Sequence, residues 1–492
     1  MRKKLLIFLL PLVLFSCAEN NSTSSESSIS SQETSKTPTS TPTQEETTNI
    51  YDFEFVENED GTLFIKNYKN YRPNKVTIPE SFNGKLITGI LDYAFASSGG
   101  IKTIVLSKNI AICKGISFAN CLTIENIEVE PENPYFKSKD GLLLNKLGNE
   151  LIFCPPKKDV VHLDDEITKL ADYAFIASNA KEIILSKNLK EIGERVFAST
   201  KKITTITIPD SVECIGEYAF NLSSIKSITL GKGMRELSSY VISNCSSLDE
   251  LIIPGNIKVI HASAVVNNFH LKRVVLENGV EVIEDGAFVD NSTNEYVLPT
   301  SLRVIKDNAF IRNPRLKSVT IPEGVTTLGN GAFSYCEILE SIYLPSTLEE
   351  IGTSLVAYDR YLETISMHKD NPNFVVENNV LYSKDKTRLI SYPARHEQFE
   401  YEVSDGVEII DREAFSYVLR LEKLTLPASI TFIGAYTFRM TSSLEEIYYS
   451  GTMDQWHSIE KEEIIGENLI SWNLGSSINI VHCKNGDVII ND

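Results

Sequence analysis

The sequence predicts a mainly β repeat solenoid of about 13 coils, each 22–23 residues long. Three observations carry this reading. An aromatic or apolar residue recurs in one phase, at Phe95, Phe118, Phe175, Phe197, Phe220, Ile242, Val265, Phe288, Phe310, Phe333, Val356, Phe415 and Phe438, with steps of 22 or 23 except for two gaps of 57 and 59. Five residues before each stands a second apolar residue: Ile90, Cys113, Leu170, Ile192, Ile215, Leu237, Ile260, Ile283, Ile305, Leu328, Ile351, Ile410 and Ile433. Each unit also carries a strand-like segment, as in Leu316-Lys317-Ser318-Val319-Thr320-Ile321-Pro322.

Within a unit, period-two alternation turns Val319 and Ile321 inward and Ser318 and Thr320 outward. The same frame recurs at Ile203-Ile206-Ile208, Leu339-Ile342-Leu344 and Leu421-Leu424-Leu426. Proline often follows, at Pro209, Pro254, Pro322, Pro345 and Pro427. It ends the strand because it cannot donate to the next ladder bond. A turn, a second short extended segment and a helical turn bearing the aromatic complete the unit. Glycine follows the second apolar residue at Gly193, Gly216, Gly329, Gly352 and Gly434, but Ala171, Glu284, Lys306 and Asp411 take that place elsewhere. That position is therefore not expected to need a positive φ. One unit cannot bury its own apolar face, whereas stacked units share a continuous core. At about 4.8 Å per strand, 13 coils make a parallel sheet roughly 60 Å long.

Before the repeats, Arg2-Lys3-Lys4 and the apolar residues 5–15 form an export signal too short to span a membrane. The signal peptide is residues 1–16. Leu14-Phe15-Ser16-Cys17 resembles the bacterial lipobox, which implies cleavage before Cys17 and lipidation of that residue. Residues 17–49 are then a lipid-anchored linker. From 18 to 49, 17 of 32 residues are Ser or Thr and none is aromatic, so the segment cannot offset its chain entropy and is expected to be disordered.

Residues 50–74 read as an N-terminal cap with a hairpin at Asp60-Gly61. The neighbouring acids Glu57, Glu59 and Asp60 lack calcium-loop spacing and read as a solvated hairpin tip. The solenoid proper spans 75–450, and 451–492 form a C-terminal cap. That cap has a final hairpin at Asn485-Gly486, and Trp456 and Trp472 plug the open end. The two long gaps are one module used twice, at about 131–160 and 369–400. Asn133-Pro134-Tyr135-Phe136 matches Asn371-Pro372-Asn373-Phe374, and Leu151-Ile152-Phe153-Cys154-Pro155 matches Leu389-Ile390-Ser391-Tyr392-Pro393, each offset by 238. A β-hairpin budding from a coil is expected there, and as a loop on a rigid scaffold it is a contact candidate.

The Ile-Gly-x-x-Ala-Phe and Leu-x-x-Ile-x-Ile-Pro segments, recurring in register over roughly 75–450, resemble the BspA-like, or Treponema-type, leucine-rich-repeat family. The resemblance implies a right-handed, curved leucine-rich-repeat solenoid on the bacterial surface, with a parallel concave sheet. Several family members are adhesins for host matrix proteins such as fibronectin and fibrinogen.

Charge narrows the partners. The formal charge is −19, and losing Arg2, Lys3 and Lys4 with the signal makes it three more negative. Such a chain repels phosphate backbones, which argues against nucleic acid and against polybasic membrane contact, leaving the lipid anchor as the membrane link. No P-loop, dinucleotide fingerprint, H-E-x-x-H or G-x-S-x-G occurs, so no catalytic residue and no cofactor is expected. His261 and His270 share a coil but face differently, and no C-x-x-C exists, so no metal site is expected. Cys121, Cys245 and Cys336 share the phase three residues after the aromatic. They sit coils apart and read as small buried apolar groups.

The outward strand positions of the concave face are the candidate binding residues, among them Arg273, Glu295, Ser318, Thr320, Ser341 and Tyr343. Most outward residues are small or β-branched, with no aromatic or basic stripe. The reading is a non-catalytic, exported, lipid-anchored cell-surface protein, adhesin-like, binding a host or matrix protein. The alternative is a glycan-binding surface lipoprotein for nutrient capture.

Overall fold

The computed structural model describes residues 48–490 except 71, 97 and 463–477. The signal segment, Cys17, most of the linker and Trp472 lie outside the described residues.

Each coil gives one strand to a first parallel ladder, a short strand to a second, and a turn that carries the core aromatic. The first ladder begins at Lys75–Thr77 and ends at Ile480–Cys483. Its register repeats the sequence period, as in Ser318↔Ser341, Val319↔Ile342 and Thr320↔Tyr343. Val319 is buried between exposed Ser318 and Thr320, so the alternation read from sequence sets which side meets solvent. In the second ladder, Val282–Ile283, Val304–Ile305 and Thr327–Leu328 pair in parallel, and Ile283, Ile305 and Leu328 are the buried members. Inside, the aromatics stack coil on coil. Phe288, Phe310 and Phe333 are fully buried, with centroids 5.3 and 5.0 Å apart and rings within 4° of parallel. Where the phase holds Ile242 and Val265, the turns become strands and pair as a third short ladder, Ile242–Ser243 with Val265–Val266. Branching at Cβ favours that extended backbone.

Two expectations are corrected here. Except at Phe118, which closes the 3-10 turn Gly115–Phe118, the aromatic does not ride on a helical turn. Its turn holds left-handed residues two before and two after it, such as Tyr218 (φ 57°) and Leu222 (φ 58°) around Phe220, or Asn308 (φ 56°) and Arg312 (φ 57°) around Phe310. These sharp reversals leave the aromatic N–H free to bond the next coil. Phe288 N–H donates to the Ala309 carbonyl and Phe310 N–H to the Ala332 carbonyl, each at 2.8 Å. A helical turn would close those bonds within one coil. The glycine after the second apolar residue has ordinary φ, as read. Its reason is close approach, since a Cβ on Gly216 would lie 2.6 Å from the Glu194 nitrogen of the previous coil.

The coil count is also higher than 13. Tyr68, Cys154 and Tyr392 make the same N–H bond to the next coil, to the carbonyls of Ala94, Ala174 and Ala414 at 2.8 Å each. With the 13 read from sequence they make 16 turns. Each long gap therefore contains one unrecognised coil. The gaps hid them because Cys154 is not aromatic and because an insert of two strands precedes each.

That insert is more than a hairpin. Phe136–Lys139 and Leu142–Asn145 pair antiparallel, and Leu142–Asn145 pairs antiparallel with Glu150–Phe153. The third strand then runs parallel to Lys169–Leu170 and restores the second ladder. The later copy repeats this with Phe374–Glu377, Val380–Ser383 and Arg388–Ser391, the last beside Ile409–Ile410. Both tips put two residues in the left-handed region, Asp140-Gly141 and Asn378-Asn379, as a tight two-residue hairpin requires. A buried asparagine anchors each base. Asn133 donates to the Ser107 and Ile110 carbonyls (2.9 Å each) and accepts from the Tyr135 and Phe136 N–H groups (2.8 Å each). Asn371 does the same with Pro345, Leu348, Asn373 and Phe374.

A polar column runs three residues after the aromatic. Asn268 and Asn291 accept the N–H of the same phase one coil earlier, from Cys245 (2.9 Å) and Asn268 (3.0 Å). Asn268, Asn291 and Asn313 donate to the carbonyls of Ile242, Val265 and Phe288 at 2.8–3.1 Å. The cysteines of this phase are buried, as expected, but they are not merely apolar. Cys245 and Cys336 point their thiols at the Phe220 and Phe310 carbonyls at 3.2 and 3.5 Å, and Cys121 faces the Phe95 carbonyl. All seven described cysteines are free.

At the N-terminal end, Phe53–Glu57 pairs antiparallel with Leu63–Tyr68, which joins Lys85–Ile90 in parallel. The acids there are used locally: Glu57 pairs with Lys85, and Asp60 accepts from the Thr62 N–H (2.9 Å) and hydroxyl (2.7 Å). At the other end, Trp456 is 2% exposed and lies edge-on to Tyr449 at 5.4 Å. It sits on the helix Met453–Ser458, whose start is closed by a capping box of Thr452 and Gln455.

Candidate binding surface

The first ladder presents the outward residues. Arg273 is pinned between flanking acids, with Nη1 2.7 Å from Glu250 Oε1 and Nε 2.9 Å from Glu295 Oε2. Ser318 stands beside Ser341, and Thr320 beside Tyr343. The structure thus brings the six candidates into two adjoining groups, Arg273 with Glu295 and the Ser318–Tyr343 quartet. Further along, Lys423 lies 4.7 Å from the Tyr448 ring centroid, and Tyr448 lies 4.7 Å from His482.

The inserts interrupt this ladder. Asn126–Val129 closes one hydrogen-bonded group, and Val160–His162 opens the next by pairing only with Glu182–Ile184. The same break separates Thr364–Met367 from Glu400–Glu402. Between the inserts the strands follow one another at 22–23-residue steps in four hydrogen-bonded groups, and every candidate lies in that central run.

A second feature was not found from sequence. The left-handed turn positions carry tyrosines: Tyr93, Tyr173, Tyr218, Tyr240 and Tyr436 two before the core residue, and Tyr335, Tyr358 and Tyr417 two after it. Tyr335 and Tyr358 stack at 4.2 Å and 11°, and Tyr358 meets Tyr417 edge-on at 5.3 Å. Arg360 lies 4.9 Å over the Tyr417 ring, and Arg439 donates to the Tyr358 hydroxyl at 3.1 Å. That hydroxyl in turn donates to Glu413 at 2.9 Å. Burial and the Glu413 carboxylate push the Tyr358 hydroxyl far above the usual phenol range, so it stays protonated. The signal lay in the same repeat phase already used for the core, two residues to either side.

The histidines and carboxylates make structural pairs. His261 bridges Glu236 (2.9 Å) and Glu284 (3.0 Å), whose hydrogen bonds hold its pKa above the ordinary value despite partial burial. Among the described residues, no group of three or more His, Cys, Asp or Glu side chains is placed to hold a metal ion. No described helix is long and apolar enough to cross a membrane.

Comparison with known proteins places this geometry. The family model for the BspA type leucine rich repeat region matches six copies, over residues 64–139, 153–272, 260–388 and 396–483. Solved structures with similarity include a leucine rich cell surface protein from Faecalibacterium prausnitzii, 17% identical, covering 84% of this chain and 97% of that one at a TM-score of 0.42. A leucine-rich repeat protein from Bacteroides ovatus is 19% identical, with 84% and 98% covered and a TM-score of 0.41. The pneumococcal vaccine antigen PcpA is 15% identical, with 83% and 93% covered and a TM-score of 0.39. No curated protein matches the sequence. The family matches cover most of the chain and coincide with the stacked coils, so the chain belongs to the BspA-type leucine-rich-repeat family.

Proposed function

We propose that this is a non-catalytic, exported binding protein, tethered through Cys17 and adhesin-like, that engages a protein partner such as a host matrix component. The observation that carries the reading is the Tyr335–Tyr358–Tyr417 cluster with Arg360 and Arg439. Tyrosine and arginine are the residues that dominate protein interfaces, and here they are already stacked and held, so little side-chain entropy is lost on contact. The central run of the first ladder, with Arg273, Glu295, Ser318, Thr320, Ser341 and Tyr343, is the second proposed contact face. Buried Trp456 offers no open ring for a sugar.

The test is binding of the purified chain to immobilised matrix proteins, mucin and bacterial or plant glycans. Saturable protein binding lost in Tyr335→Ala with Arg360→Ala, or in Arg273→Ala with Tyr343→Ala, supports the reading and tells the faces apart. Binding to glycans alone overturns it in favour of nutrient capture.

A further inference from the structure

The two inserted modules correspond residue by residue, yet one is packed and the other is open. Leu144 pairs with Lys137 and Leu151, as Tyr382 pairs with Val375 and Leu389. Lys158 donates to the Asp140 carbonyl at 2.8 Å, where His396 bonds the Asn378 carbonyl at 2.7 Å. Val161 and Tyr401 are the central residues of the strands that follow, Val160–His162 and Glu400–Glu402. In the later copy Tyr382 and Tyr401 are buried with their hydroxyls hydrogen-bonded to each other, and Tyr392 packs 4.9 Å from Tyr401.

With Leu144 and Val161 in place of those two tyrosines, the earlier copy has a 370 Å³ cavity between the insert and the strand. Leu142, Leu144, Val161, Leu163 and Ile167 supply its apolar wall. The cavity opens to solvent beside Lys139, Asp140, Val160 and His162, and its volume falls in the range of about 300–1,000 Å³ typical of small-molecule sites. The mouth differs in charge as well. Lys139 and Lys158 stand where the later copy has Glu377 and His396. Lys158 Nζ uses two of its three donors, on the Asp140 carbonyl and on Asn126 Oδ1 at 3.2 Å. Lys139 pairs with Asp164 at 2.6 Å.

We propose that this cavity binds a small aromatic carboxylate. The ring enters the space that tyrosine rings fill in the sister module, and the carboxylate takes the remaining donor of Lys158. The proposal is independent of the protein-binding reading. It is tested by calorimetric titration of the whole chain with 4-hydroxyphenylacetate, beside 4-hydroxyphenylacetamide, which lacks the charge, and hexanoate, which lacks the ring. Saturable binding of one equivalent is expected, about tenfold or more weaker for the amide and for hexanoate. Lys158→Met should weaken 4-hydroxyphenylacetate as much as the amide substitution does, with an unchanged melting temperature. Leu144→Tyr with Val161→Tyr installs the sister pair and should abolish binding; if that variant does not fold, Lys158→Met decides. No saturation at millimolar 4-hydroxyphenylacetate overturns the proposal. So does equal binding of acid and amide, or binding unaffected by either variant.

Discussion

Asp359 stands in the asparagine column but lacks an amide. Its Oδ1 accepts the Cys336 N–H at 2.7 Å, as the asparagines accept the coil before them. Its Oδ2 is buried without a partner, at the place where each asparagine donates to a carbonyl 25 or 26 residues earlier. Burial pushes the Asp359 carboxyl well above the ordinary carboxylate range, so the folded chain keeps it as a neutral acid whose Oδ2 makes no hydrogen bond. The unfolded chain releases that proton above its ordinary value of 3.8. A folded pKa raised in this way gives stability that is complete below the unfolded value and is lost as pH rises toward the folded one. Asp359→Asn supplies the donor without a proton. It should stabilise the protein by about 1–3 kcal/mol, the cost of one buried group left unsatisfied, and by more as pH rises above the unfolded value. Near pH 3, where the unfolded chain also holds the proton, the gap should be smallest. Asp359→Ala, which strands the Cys336 N–H, should be the least stable of the three. Urea unfolding across this pH range, with hydrogen exchange of the Cys336 amide, measures all three. An asparagine variant no more stable than the parent near pH 7, or a gap that does not widen with pH, would refute a buried neutral acid.

Phe333→Ala opens a hole in the parallel ring stack and should cost about 3–5 kcal/mol in a melt; a loss below about 1 kcal/mol would remove this phase from the core. Arg388 holds nearly buried Asp411 through two bonds of 2.7 and 2.6 Å, so Arg388→Met should cost about 3–5 kcal/mol by leaving that carboxylate unpaired. His261→Gln should cost roughly 0.5 kcal/mol below pH 6.5, where the bridge to Glu236 and Glu284 is fully charged. That cost should disappear as pH rises through the raised folded pKa, and a cost that persists in mild alkali would show that packing matters rather than charge.

The solenoid was legible because its strongest signals are local and repeated. Val319 between Ser318 and Thr320 states which side is buried, and 22–23-residue steps state which strands are neighbours. The features missed depend on something outside one unit. Cys154 sits in the core phase without an aromatic, and its bond to Ala174 and the pairing of Glu150–Phe153 with Lys169–Leu170 reveal the coil. Left-handed turns were hidden because Tyr, Asn, Ser, Arg and Glu all occupy them, so no glycine signature marks the position. The stacking of Tyr335 on Tyr358 is a relation between coils, visible in sequence only as two tyrosines 23 residues apart. The polar column was half seen, through its cysteines, and its hydrogen-bonding role needed the carbonyls of the coil before.

The inserts also constrain where a partner can lie. Glu150–Phe153 and Arg388–Ser391 carry the second ladder on toward the later coils, but their other edge pairs with the insert, so that ladder starts afresh at each module. On the first ladder, Asn126–Val129 and Thr364–Met367 pair only with the coil before them. An extended partner on that face therefore has one long platform, the ten strands from Val160–His162 to Thr364–Met367, and at about 4.8 Å per strand it spans roughly 43 Å. Within it Arg273 is balanced by two acids, whereas the Ser318–Tyr343 quartet is uncharged and carries the one large ring. A partner that uses this platform should thus be felt first at Tyr343, and its binding should vary little with salt. Steep salt dependence would instead put the contact on the arginine-bearing edge at Tyr335, Tyr358 and Tyr417.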